Sequence, residues 1–133
     1  MIYNKTNWTE QYKIRLANCD SSMDKHDIVK TLVVRMILNK NKRNRTFLHI
    51  YTEFDLNEGK LIPDIYVEDC KNKTIICYEI QKNYNQEYIK TKTEEYNKLD
   101  IPYFNSIDLI IIPLKNLSDN INEMVKQLDI YVV

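Results

Sequence analysis

The sequence predicts an α/β domain in which a mixed β-sheet is flanked by helices, in the order helix, three strands, helix, strand. Three observations carry that expectation. Residues 22–39 place Ile28, Leu32, Val33, Met36 and Ile37 at helical spacing. Two β-rich runs then flank the polar turn DCKNK, the pattern of a hairpin. After a second helical stretch comes LIIIPL, Leu109–Leu114, a continuous apolar run of the kind that forms a buried strand.

The 133 residues fit one domain, 1–133, and no shift in composition marks a second. Residues 1–20 read as an N-terminal arm. Within it Tyr12, Ile14 and Leu16 alternate with Lys13 and Arg15 as in a short strand, and Trp8 is a candidate anchor. Ser21 with Asp24 caps the first helix. On that helix His26 and Lys30 are four apart and share one side. The run NKNKRNR, Asn39–Arg45, forms the loop to the next strand. Its Lys40, Lys42, Arg43 and Arg45 are candidate contacts to nucleic-acid phosphate, set against ordinary solvation.

Phe47–Leu56 is rich in aromatic and β-branched residues and forms the first core strand, and Glu58-Gly59 marks a turn. The hairpin follows, with roughly Asp64–Asp69 paired to Lys73–Gln81. A turn near residues 70–73 gives a register in which partner numbers sum to about 143. Asp64 then lies across from Glu79, and directly opposed residues share a face of the sheet. Gln81 projects from that face as well. Two opposed like charges are destabilising, so the pair calls for something positive between them. A hard divalent cation with oxygen ligands is the economical candidate.

Asn85–Leu99 forms the second helix, with Tyr88, Lys92 and Tyr96 along one side. Pro113 ends the last strand or puts it at an edge. Leu117–Leu128 reads as a final amphipathic helix around Ile121, Met124, Val125 and Leu128, and Ile130–Val133 as a terminal strand or interface segment.

Pro63-Asp64, fourteen intervening residues and Glu79-x-Gln81 together resemble the signature of the PD-(D/E)XK nuclease superfamily, with Gln81 in place of the usual lysine. The Glu-x-Gln form is similar to the nuclease-like domain of competence proteins of the CoiA type. His26-xxx-Lys30 and Glu53 resemble that group's upstream pattern. Lys92-Thr93-Glu94-Glu95-Tyr96 followed by Ile101-Pro102 resembles its downstream helix, so the likeness covers about residues 22–114. It implies a restriction-endonuclease-like core and a metal-dependent DNA endonuclease or junction resolvase. Asp64 and Glu79 would hold Mg²⁺ or Mn²⁺, joined by Glu53 and the backbone carbonyl of Ile80. Gln81 would orient the attacking water, with His26 and Lys30 beside the site and Lys92 and Tyr96 on substrate phosphate.

Two other classes compete with that expectation. One is a nuclease-fold DNA-binding protein without turnover, because Gln81 supplies neither charge nor a basic amine. The other is a small protein-interaction module whose acidic pair is incidental. A homodimer on DNA is expected, since 133 residues leave little room for separate DNA-binding modules.

Composition narrows the field. Zero formal net charge argues against a general nucleic-acid coating protein. A single glycine argues against phosphate-cradling loops, and so against a nucleotide cofactor. Cys19, Cys70 and Cys77 have no metal-ligand rhythm with the two histidines, and Cys70 and Cys77 are near enough in the hairpin to check for a bridge. The odd cysteine count, the lack of a secretion signal and the lack of a membrane-spanning run lead to the expectation of a cytoplasmic protein.

Overall fold

The computed structural model describes residues 12–13, 25–56, 59, 61–82 and 85–132. The cap at Ser21 and Asp24, the anchor Trp8, the continuation of the first strand through Ile14 and Leu16, and the residues Cys19, Glu58 and Val133 lie outside them. The elements are β1 (Tyr12–Lys13), α1 (Lys25–Lys40), β2 (Leu48–Thr52), β3 (Ile65–Asp69), β4 (Thr74–Gln81), α2 (Gln86–Asn97), β5 (Ser106–Pro113) and α3 (Ile121–Leu128). The protein is α/β with a mixed sheet. Its strands lie in the order β1-β2-β3-β4-β5, antiparallel from β2 to β4 and parallel at both outer pairings.

Alternation along the strands divides the core in two. Leu48, Ile50, Ile65, Val67, Tyr78 and Ile80 face α1 and α3, which supply Val29, Val33, Ile37, Met124 and Leu128. Tyr51, Tyr66, Ile75 and Cys77 face the other way and are covered by Tyr96 of α2 together with Leu56, Leu61 and Ile101. Each large apolar side chain moved out of water contributes roughly 1.5–3 kcal/mol, so both faces must be covered for the sheet to persist.

The inward stripe of α1 is rotated from the expected one. Val29, Val33, Val34 and Ile37 are buried, while Ile28, Leu32 and Met36 pack at the margin. The β-branched valines sit against the sheet and the longer residues close the sides. The hairpin has the expected register, with Ile65 paired to Tyr78 and partner numbers summing to 143. Asp69 closes its turn by accepting from the backbone N–H groups of Lys71 and Asn72, and Lys73 takes the left-handed conformation at φ 57°.

Three element expectations need correction. β5 is an edge strand of the described sheet and only Ile112 and Pro113 are buried, so LIIIPL is not a strand covered on both faces. Its apolar character serves α2 on one side and α3 on the other. The final helix starts at Ile121, after a short 3-10 turn at Leu114–Asn116, because Asn120 caps it by accepting from the Glu123 N–H. Ile121 is consequently 54% exposed rather than core. Tyr131 lies in a turn, and Ile130 is exposed rather than part of a strand. Cys70 and Cys77 are both free thiols.

Candidate active site

The end of β2, the start of β3 and the end of β4 meet at one end of the sheet, and the N-terminal turn of α1 approaches the same end. Asp64 precedes the first paired residue of β3 by one position and continues the register opposite Glu79. Its Oδ2 accepts a 2.7 Å hydrogen bond from the Ile80 N–H, and its carbonyl accepts from the Glu53 N–H at 3.3 Å. The same register sets Pro63 against Ile80. Proline has no N–H to give, so the antiparallel ladder stops there and the Asp64 side chain takes up the Ile80 donor. The N–H and C=O of one strand residue point to the same side. The Ile80 carbonyl is therefore directed towards Asp64 without a ladder donor from Pro63.

Glu79 projects from the α2 face of the sheet, and the residue is only 5% exposed. The Tyr96 hydroxyl donates to its Oε1 at 3.4 Å, a long contact. Oε2 is buried with no close hydrogen-bond donor among the described residues. Burial pushes the Glu79 carboxyl above its ordinary range. Lys92 opposes that rise, Asp64 adds to it, and the Tyr96 and Tyr88 hydroxyls oppose it. Burial, reinforced by the charges of Glu79 and Asp64, lifts Tyr88 to about 12. Burial and Glu79 raise Tyr96 as well, so both phenols stay protonated as donors at neutral pH. Gln81, half-buried, ends β4 opposite Pro113 of β5.

From the α1 side, His26 Nε2 lies 3.2 Å from Asp64 Oδ1, and its Nδ1 lies 3.8 Å from Asp27 Oδ1. Lys30, only 1% exposed, reaches Glu53 Oε1 at 2.7 Å. Glu53 follows β2 directly, but the alternation that puts His49 and Tyr51 on one face does not continue to it. Its φ of 53° breaks the alternation just after β2 and turns the carboxylate towards Lys30. Asp64, Glu79 and Glu53 accordingly do not form a three-carboxylate cluster within common ligand reach.

The basic loop is at the wrong end of the molecule for this site. The helix carries the chain about 21 Å from His26 to its end at Lys40, at 1.5 Å per residue. There Lys40 is engaged by Asp129 and the Val132 carbonyl, and Arg45 donates to the Leu38 carbonyl. Lys42 and Arg43 are exposed. A different set of cations borders the acids. Lys25, His26, Lys82, Leu114 and Lys115 line a cavity of about 350 Å³ on the α1 face. On the α2 face Lys92 lies 5.8 Å from the Tyr88 ring centroid, close enough to Glu79 to act on its charge. Lys82, one residue beyond Gln81, belongs to the α1 side, as alternation requires of a regular strand. Lys115 was missed because it is isolated in sequence. The parallel pairing of β5 with β4, which brings both strand ends to one level, is the signal that places it.

Comparison with known proteins gave no matching family model, no matching curated protein and no matching solved structure. The resemblance to PD-(D/E)XK nucleases therefore rests on this chain's own residues. Among the described residues no helix is long and apolar enough to cross a membrane.

Proposed function

We propose that the protein is a metal-dependent DNA endonuclease of restriction-endonuclease-like fold, of the nuclease or junction-resolvase type, acting as a homodimer. The observation that carries this reading is the Asp64–Glu79 pair. The register extended one step beyond Ile65–Tyr78 sets the two residues opposite each other, and Glu79 keeps a buried oxygen without a close donor. Such an atom is costly unless a cation or polar group arrives to satisfy it.

The donors suit Mg²⁺ or Mn²⁺, with Asp64, Glu79 and the Ile80 carbonyl as the oxygen ligands of a hard ion. When bound, the ion would make a water more acidic and offset charge developing on the phosphate. The remaining roles belong to the chain. Gln81 orients the attacking water through its amide oxygen. His26 Nε2 is placed beside Asp64 to accept or return a proton. Lys92 holds the phosphate on the α2 face, whereas Tyr96, expected on phosphate, is fully buried and directs its hydroxyl to Glu79. Lys82 and Lys115 draw the polynucleotide along the α1 face. Glu53 positions Lys30, whose buried ammonium places near the site a charge that Gln81 lacks.

A nuclease-fold DNA-binding protein without turnover is the second reading. It is favoured by the partners the acids already have, His26 on Asp64 and Lys30 on Glu53. A nicking assay with Mn²⁺ on supercoiled plasmid, junction and flap substrates separates the two. The endonuclease nicks at least one substrate and Asp64→Ala does not. Equal cleavage by both, or binding without cleavage by the wild type, removes the enzymatic reading.

A further inference from the structure

At the opposite end of the sheet a second group of donors converges, unrelated to the Asp64 site. His49 of β2 pairs directly with Glu68 of β3. Cys70 lies two residues beyond Glu68 and extends the same ladder, its N–H donating to the Phe47 carbonyl at 3.0 Å. Alternation by two puts all three side chains on one face. His49 Nδ1 is 3.4 Å from Glu68 Oε1 and 3.6 Å from Cys70 Sγ. One ligand atom from each residue lies within 4.8 Å of the others.

Those spacings suit ligands of one shared ion. An N–H···O hydrogen bond closes to about 2.7–3.2 Å, so the His49–Glu68 contact is too long for a good one. Around a tetrahedral zinc-like ion, ordinary bond lengths put nitrogen about 3.4 Å from oxygen and about 3.6 Å from sulfur. Both observed distances fit that geometry, and the 3.6 Å sulfur contact is also within hydrogen-bond reach of a thiol. The Tyr66 hydroxyl donates to Glu68 Oε2, which fixes the carboxylate and leaves Oε1 aimed at His49 and Cys70. Orientation of a ligating carboxylate by a neighbouring hydrogen bond is usual in metal sites. Glu68 is fully buried and His49 nearly so, while half-buried Cys70 leaves a way in from solvent.

We propose that His49 Nδ1, Glu68 Oε1 and Cys70 Sγ form a binding site for a borderline-soft divalent ion of the zinc class, with water as the fourth ligand. A mixed nitrogen, oxygen and sulfur set selects such an ion over Mg²⁺. On binding, the metal–sulfur bond forms as the Cys70 thiol proton leaves to solvent. The ion ties the first residues of β2 to the last of β3.

The test uses the full chain, metal-free and reduced, titrated with Co²⁺ and then Zn²⁺. The wild type should show a thiolate-to-cobalt charge-transfer absorption in the near ultraviolet that Zn²⁺ abolishes. Cys70→Ser should lose the band and bind Zn²⁺ at least about ten-fold more weakly. Asp64→Ala, Cys19→Ser and Cys77→Ser should keep the band. Its absence from the wild type, or its persistence in Cys70→Ser, overturns the site. A measurement on the unaltered protein guards against misfolding of the variant. Zn²⁺ should slow iodoacetamide labelling of Cys70, and an unchanged rate refutes the proposal.

Discussion

Glu79 carries the largest electrostatic cost at the proposed active site, because burial outweighs the help it receives from Lys92, Tyr96 and Tyr88. A carboxyl raised above its unfolded value binds its proton more tightly in the folded state. Stability then falls as pH rises through the unfolded carboxylate range, and the loss is complete above the folded value. Glu79→Gln should therefore melt at a higher temperature than the wild type at pH 7, with the gap narrowing towards pH 4, while losing Mn²⁺-dependent cleavage. Thermal melts at the two pH values check the sign. A lower melting temperature at pH 7 would mean that the carboxylate is satisfied as it stands. The hairpin register, which sets Asp64 opposite Glu79 one step past the ladder, was legible in the sequence because of the DCKNK turn. The orientation of Glu53 was not. It depends on a left-handed φ that a strand pattern does not encode, and on Lys30 being buried rather than solvated.

Among the elements, the hairpin and α2 do most to build the site. Pro63 ends the β3–β4 ladder beside Ile80, and Pro63→Ala restores an N–H that would bond the Ile80 carbonyl. A competing bond of this kind is worth about 1 kcal/mol, so Mn²⁺ affinity should fall roughly five-fold with the fold unchanged. Calorimetry reads this, and an unaltered affinity would mean that the carbonyl takes no part. Asn85 caps α2 by accepting from the N–H groups of Glu87 and Tyr88. Asn85→Ala should cost about 1 kcal/mol in chemical denaturation and weaken substrate binding through Lys92. Helices and strands were mostly readable from periodicity. The edge position of β5 was signalled by Pro113, but the rotated stripe of α1 and the exposure of Ile121 were not, since each depends on what the neighbouring layer supplies.

Across the whole molecule, zero net charge conceals a separation by position. The NKNKRNR loop dominates the sequence, yet the length of α1 carries it to the far end. Isolated Lys82, Lys92 and Lys115 gather around the acids instead. Sequence clustering does not locate the cations that border the acids, because proximity along the chain is not proximity across a sheet. Lys82→Ala or Lys115→Ala should each reduce the slope of log affinity against log salt by about one unit on duplex DNA. Lys42→Ala and Arg43→Ala should leave the slope unchanged. The reverse pattern, read by fluorescence anisotropy at several salt concentrations, would move the nucleic acid to the other end of the sheet.

At the proposed active site Asp64 and Glu79 hold one hard divalent ion between them. Isothermal titration of Mn²⁺ into the Cys70→Ser chain, with the zinc-class site thus disabled, tests it most directly. One ion should bind per chain, and that binding should be lost in both Asp64→Ala and Glu79→Ala on the same background. Full-strength binding in either double variant, or none before the carboxylates are removed, would contradict it.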